Sequence, residues 1–272
     1  MIPMTMHHRQ VVPGDLLVFG GPYSNLQATR AVRAQAKSLG IPAGNCICTG
    51  DVVAYCANPL ETIAEIRDWG CQVIAGNVER QLAQGALDCG CGFDEGTTCD
   101  RLSAGWYAHA NAHVTPEARD WMGTLPDMIR FDHAMGQIFV LHGGATQVNR
   151  FLWPSSSGAD LRSEIAELQA GDDTIKPACI LAGHSGIAFQ RMIEGIKWIN
   201  AGVIGMPPHD GHQATRYAVL QEDGEAEIHH LHYDAEGAAS AMEQAGLTQG
   251  YHVALLDGHW PSEDILPADL RR

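Results

Sequence analysis

The chain has 272 residues, with 17 Lys plus Arg against 32 Asp plus Glu, a net charge of −15, 45% hydrophobic and 18% charged residues. So acidic a balance excludes a surface built for the nucleic-acid backbone or for an anionic membrane, and the apolar content excludes disorder. No apolar run reaches the ~18–20 residues that span a bilayer. The opening Met1-Ile-Pro-Met-Thr-Met-His-His-Arg9 lacks the charged-then-apolar pattern of a secretory signal. The eight cysteines are therefore expected in a reducing cytoplasm, free or metal-bound rather than paired.

Strand-like and helix-like segments alternate. Asp15–Gly20 is a short apolar run closed by glycines, the pattern of a buried strand. Ser24 and Asn25 supply N-cap chemistry for a helix over Leu26–Leu39. Asn45–Thr49 reads as a second strand, Pro59–Trp69 as a helix capped by Asn58, and Gln72–Ala75 as a third strand. This βαβαβ opening predicts a parallel sheet with crossover helices. A glycine- and cysteine-rich loop over Asp88–Cys99 breaks the rhythm, followed by helices at Arg101–Asn111 and Pro116–Met122. Strands are expected at Gln137–Leu141, Ala178–Ala182, Lys197–Asn200, Ala214–Leu220 and Ala226–Leu231, and helices at Leu161–Gln169 and Asp234–Gln244. The tail after Gly258 shows no pattern that assigns it a role. With no internal repeat and no linker between two cores, residues 1–272 are expected to form one α/β domain, with an insert over 88–112 and an extension over 233–272.

Four apolar strands each end in a potential metal ligand, most through a glycine: Cys48-Thr-Gly-Asp51, Val73-Ile-Ala-Gly-Asn77, Val140-Leu-His142 and Leu181-Ala-Gly-His184. Loops at the carboxyl ends of parallel strands converge on one crevice, and glycine lets the chain turn sharply there. A carboxylate, an amide oxygen and two imidazoles make a mixed O/N set suited to a borderline divalent ion.

In order and context these segments resemble the calcineurin-like metallophosphoesterases, in particular the compact bacterial branch of phosphodiesterases and diadenosine tetraphosphate hydrolases. That family carries Asp-x-His-(Gly/Ser)-Asn-Leu, Gly-Asp, Gly-Asn-His-(Asp/Glu), a lone His after a strand, and Gly-His-x-His. The corresponding blocks here are Gly21-Pro-Tyr23-Ser-Asn25-Leu, Gly50-Asp51, Gly76-Asn77-Val78-Glu79, Leu141-His142-Gly143 and Gly183-His184-Ser-Gly186. Asn200-Ala-Gly202-Val-Ile-Gly205-Met-Pro is similar to the branch's closing segment. The resemblance covers roughly Leu16 to Leu220 and implies a four-layer α/β/β/α sandwich of two mixed sheets flanked by helices.

The departures from the family pattern are concentrated. Its first Asp and His fall on Gly21 and Tyr23, the His of its Gly-Asn-His block is Val78, and the second His of Gly-His-x-His is Gly186. By the resemblance, one of two metals loses every ligand private to it, while Asp51, Asn77, His142 and His184 keep the other. Glycine offers no ligand atom, and a tyrosine ligates only as phenolate, far from its reference pKa near ~10. The expectation is at most one divalent metal (Mn, Fe, Zn or Ni), with Asp51, His142 and His184 as catalytic candidates and Asn25, Asn77 and Tyr23 as substrate-binding candidates. Loss of the second cation removes the clamp on attacking and leaving oxygens, and Val78 removes a group typically worth ~10²–10⁴-fold. The expected function is a divergent phosphoesterase with weak or no hydrolysis of small phosphate esters or nucleotides. Two alternatives stay open: an inactive module that binds a phosphorylated ligand or scaffolds a partner, and a metal-free, hydrogen-bonded crevice. A small phosphorylated ligand is the expected partner, and a homo-oligomer is left open.

Cys89, Cys91 and Cys99 form a second candidate, for zinc or for a reversible disulfide, although their spacing is not that of a standard finger. Cys46 and Cys48 are expected to face opposite sides of their strand and to serve packing, while Cys56 is left open. His209 and His212 are candidates to replace a lost phosphate contact, and His229, His230 and His232 are read as a solvated edge. Trp106 and Tyr107 are read as helix-face packing.

Overall fold

The computed structural model describes residues 4–8 and 11–272. A short strand at Met6–His8 (β1) precedes the βαβαβ opening, which runs Leu16–Phe19 (β2), Leu26–Ser38 (α1), Cys46–Cys48 (β3), Pro59–Trp69 (α2) and Gln72–Val73 (β4). Asn25 caps α1 by accepting from the Ala28 N–H, whereas Asn58 caps α2 by position alone, without a side-chain bond. Two helices follow: Asn77–Gln84 (α3), which was not expected, and Thr98–His113 (α4), which runs past both expected edges. Then come Pro116–Thr124 (α5), Met128–His133 (β5), Gly136–Val140 (β6), Gly158–Gln169 (α6), Pro177–Ala182 (β7), Phe189–Ile193 (β8) and Ile196–Asn200 (β9). The remaining elements are Thr215–Leu220 (β10), Ala226–Leu231 (β11), Ala235–Gln244 (α7) and Tyr251–Asp257 (α8).

The strands form two mixed sheets, ordered β11-β10-β2-β3-β4 and β1-β5-β6-β7-β9-β8. In the first, β2, β3 and β4 are parallel, as the crossover helices require, and β10 joins β2 antiparallel. In the second, β6, β7 and β9 are parallel. The two-residue period of a strand sorts its side chains. Val18 and Ile47 turn inward to meet Ile138, Val140, Leu181 and Ile199 of the other sheet. Leu17 and Phe19 turn outward onto α1 and α2, against Val32, Ala36, Ile63 and Ile66. On the far side Phe139, Ile180 and Trp198 pack under Leu161, Ile165 and Leu168 of α6. The result is the four-layer α/β/β/α sandwich.

The same period corrects one expectation. Cys46 and Cys48, two apart, share a face and both pack toward the helices, while Ile47 between them faces the other sheet. The elements absent from the sequence reading are β1, α3, β5, β8 and α8. Of these, β8 had a local signal in Glu194-Gly195, whose positive φ values of 52° and 85° form the tight turn into β9.

Ile138, fully buried between the sheets, gauges that interface. Ile138→Ala is expected to cost ~2–5 kcal/mol, read from the urea midpoint, while Leu87→Ala, at a 91% exposed site, leaves the midpoint unchanged.

Candidate metal centre

Each ligand-bearing residue stands just past the carboxyl end of a parallel strand: Asp51 after β3, Asn77 at the start of α3 after β4, His142 after β6 and His184 after β7. All four are buried. His142 lies at their centre. Its Nε2 is 3.2 Å from Asp51 Oδ2, 3.1 Å from Asn77 Oδ1 and 3.0 Å from His184 Nδ1. Ligand atoms of Asp51, His142 and His184 lie within 4.8 Å of one another.

The backbone that achieves this is strained. Asp51 and His184 take left-handed φ values of 55° and 63°, a conformation that costs non-glycine residues free energy and clusters at functional sites. The glycines before Asp51 and Asn77 are required by contact: a Cβ on Gly50 would come within 2.6 Å of the Gly76 nitrogen, and one on Gly76 would run into Asp51 Oδ1. Glu79 ties the two loops together. Its carboxylate accepts from the N–H groups of Gly76 at 2.9 Å, Asp51 at 2.7 Å and Val53 at 3.3 Å. Burial, with the Asp51 carboxylate nearby, pushes the Glu79 carboxyl up to about 7.

The donor set fits a cation. His142 Nδ1–H donates to the Thr49 carbonyl at 2.6 Å, which leaves a lone pair on Nε2 in the neutral ring. Asn77 Nδ2 donates to the Cys89 carbonyl at 2.9 Å and to Cys91 Sγ at 3.5 Å, so its Oδ1 is the atom turned to the cluster. Carboxylate, amide and imidazole lone pairs thus crowd one point, an arrangement that needs a positive charge among them. Burial opposes charge on His142, but Asp51 outweighs it and raises the His142 pKa. Burial likewise works to raise the Asp51 pKa, yet His142 and then His184 bring it below the usual carboxylate range. Burial and then the neighbouring His142 drive His184 down to about 3, so it stays a neutral ligand. Its Nε2 is buried without a hydrogen-bond partner, and its ring packs 4.3 Å from that of Phe151.

Beside this cluster the space around Gly21 and Gly186 is taken up by other side chains. A Cβ on Gly21 would meet Val203 at 2.6 Å and the Tyr23 ring at 2.7 Å, and one on Gly186 would meet Trp260 at 3.3 Å. Tyr23 is buried edge-on to Tyr55, with ring centroids 4.7 Å apart. Burial, then Asp51, holds its phenol well above the ordinary value, so it offers no phenolate. Tyr23, Asp51 and His184 line a cavity with Tyr55, Phe151, Trp153, Tyr251 and Trp260. The cavity holds about 50 Å³ of space open to water, and about 600 Å³ when its mouth is counted.

Other candidates are placed elsewhere. Asn25 is not at the cavity: besides capping α1, its Nδ2 donates to the Gly205 carbonyl. Cys89, Cys91 and Cys99 do not assemble as three thiolates. Cys89 and Cys91 are joined in a disulfide, which also departs from the expectation of unpaired cysteines, and Cys99 donates to Ser262 Oγ. Cys56 is buried and donates to the Gly205 carbonyl. His209 binds protein rather than ligand. It pairs with Glu263 at 2.9 Å through Nε2, and its Nδ1 accepts from the Trp260 N–H at 2.8 Å. His212 and His230 are exposed, and His229 stacks on Tyr217. Trp106 and Tyr107 are core residues, as expected.

The tail after Gly258 does have a role. His209, Trp260 Nε1–H donating to the Pro207 carbonyl at 2.6 Å, and the Thr98 N–H donating to Asp264 at 2.6 Å strap it over the crevice. Glu79 had a signal in the capping position three residues after Gly76. Trp260 and Phe151 had none, because nothing local says where a loop will lie, and Tyr251 opens α8, a helix that the sequence reading did not find.

Glu79→Ala strands three buried N–H groups at ~1–3 kcal/mol each. It is expected to lower unfolding stability by ~3 kcal/mol or more and divalent-metal affinity by ~10–100-fold, measured by urea titration and calorimetry. The tail has its own pH signature. Arg272, then His209, hold the Glu263 carboxyl below its ordinary value of about 4.5. A depressed carboxyl stabilises above the ordinary value and loses that contribution as pH falls through the lowered one. Hydrogen-exchange protection of residues 259–266 should therefore drop as pH falls below about 4.5, and Glu263→Gln should abolish the step.

Residues 16–225 match the Calcineurin-like phosphoesterase superfamily domain. Over 247 residues the chain is 26% identical to the uncharacterized protein MJ0912 of Methanocaldococcus jannaschii, covering 84% of this chain and 91% of that one. In fold it is similar to the hypothetical protein PH1004 from Pyrococcus horikoshii OT3, with a TM-score of 0.74 and 15% identity over 91% of this chain and 99% of the other. It is also similar to a metallophosphoesterase from Sphaerobacter thermophilus, with a TM-score of 0.68 and 18% identity over 91% of this chain and all of that one. The strand ends that carry Asp51, Asn77, His142 and His184 all lie within the matched span, and the chain belongs to the calcineurin-like phosphoesterase superfamily.

Proposed function

We propose that this protein binds a single divalent cation through Asp51, Asn77, His142 and His184 and holds a small phosphate-bearing ligand against it, with hydrolysis slow or absent. The observation that carries this is the contrast between two adjacent places. Three lone-pair donors converge on the lone pair of His142 Nε2, whereas Tyr23, Val203 and Trp260 occupy the space beside Gly21 and Gly186. A bound divalent ion would polarise a phosphoryl oxygen and lower the pKa of a water. The chain's own residues contribute less. Val78 presents no proton donor, Tyr23 is held neutral by burial and Asp51, and His184 is a neutral ligand. The phenols that line the cavity, those of Tyr23, Tyr55 and Tyr251, keep their protons above the ordinary phenol value because they are buried, which makes them weak acids toward a leaving group. The pocket is suited to retention more than to turnover.

Metal analysis and calorimetry on purified protein are expected to give one Mn²⁺ per chain. Asp51→Asn and His142→Ala should each weaken that binding ~10-fold or more. Turnover of p-nitrophenyl phosphate and bis-p-nitrophenyl phosphate should stay near background. Two ions per chain, no ion at all, or brisk turnover lost in both variants would each overturn the proposal.

A further inference from the structure

We propose that the ligand of this site, on the reading just given, is a phosphodiester monoanion carrying a planar ring, and that Trp260 is the wall that receives the ring. Charge is the first ground. No Lys or Arg lines the cavity, and its one acidic side chain is Asp51. Arginines elsewhere are already engaged: Arg80 with Asp127, Arg150 with Asp160 and Glu164, and Arg216 with Asp210. A divalent ion beside the Asp51 carboxylate leaves at most one positive charge. Glu79, behind Asp51 and bonded to its backbone, can only reduce that total. Val78, where the family carries a histidine, adds nothing. The chain's net charge of −15 gives no attractive long-range field for anions.

A phosphomonoester or a polyphosphate would bring two or more negative charges into a buried site that can neutralise one. In surroundings of low dielectric the unmatched charge is strongly disfavoured. A diester carries a single charge and balances.

Shape is the second ground. About 50 Å³ of space open to water, where one water needs roughly 10–15 Å³, suits a phosphoryl group but not its substituents. Those must lie against the aromatic side chains that line the cavity, Tyr55, Phe151, Trp153, Tyr251 and Trp260. Such faces favour offset or edge-on contact with another planar ring. Trp260 is held for this by two bonds at its own residue, one from its backbone N–H to His209 Nδ1 and one from its indole N–H to the Pro207 carbonyl. It packs where Gly186 leaves out a side chain.

The test is calorimetry on full-length protein loaded with Mn²⁺, titrated with diphenyl phosphate, dimethyl phosphate and phenyl phosphate. Diphenyl phosphate is expected to bind at least ~10-fold more tightly than either of the others. Trp260→Ala should weaken diphenyl phosphate ~10-fold while Mn²⁺ affinity is unchanged, and Trp260→Phe should restore it. Phenyl phosphate binding as tightly as the diester would overturn the charge argument. Equal binding of dimethyl and diphenyl phosphate, or indifference to both Trp260 variants, would overturn the assignment of the wall. In each of those cases the single-metal reading survives; failure to take up Mn²⁺, or to bind any of the three, removes both.

Discussion

Lone pairs do not gather without a reason. At the carboxyl ends of β3, β4, β6 and β7, a carboxylate, an amide and a second imidazole all face one nitrogen of His142, and only a positive charge makes that arrangement favourable. Much of the surrounding structure is the means of keeping them together. Left-handed backbone at Asp51 is held because Glu79 binds its loop and the Gly76 turn in a single grip. Thr49 fixes the tautomer of His142, and the Cys89–Cys91 segment fixes the amide of Asn77. Removing any of these supports would loosen the convergence before touching a ligand.

Much of this was legible in the sequence, and for a physical reason. A buried strand ending in glycine and then a polar residue is a local pattern, and four of them in order name both the fold and the crevice. The same pattern brings Asp51, Asn77, His142 and His184 to one crevice. The absences at Gly21, Tyr23 and Gly186 were equally readable, since a missing ligand is a property of one position. What replaced those ligands was not. Val203 and Trp260 reach the vacated space through tertiary packing, and Trp260 belongs to a segment with no periodicity. His209 illustrates the converse error. The family resemblance puts its loop beside the crevice and so suggests contact with phosphate, but it is used to hold the tail. Asn25 was similarly drawn away by the helix it caps, and β8 was missed because its alternating exposed residues leave little apolar signal.

Apolar replacement also differs from simple loss. Had Gly21 and Gly186 left open space, water and adventitious ions would enter, and a polar remnant would stay wet. Aromatic and aliphatic side chains instead lower the dielectric around the surviving ligands. That strengthens whatever electrostatic interaction remains and narrows the range of charge the crevice tolerates. The packing beside Gly21 and Gly186 thereby bears on the chemistry of the Asp51, His142 and His184 cluster.

The strap that supplies Trp260 lies far downstream of the four ligands in the chain. The indole that walls the mouth is therefore positioned by contacts to Pro207 and His209, not by the strand ends that carry the four candidate ligands. Floor and wall of the pocket thus rest on separate sets of contacts, and a change to one need not disturb the other.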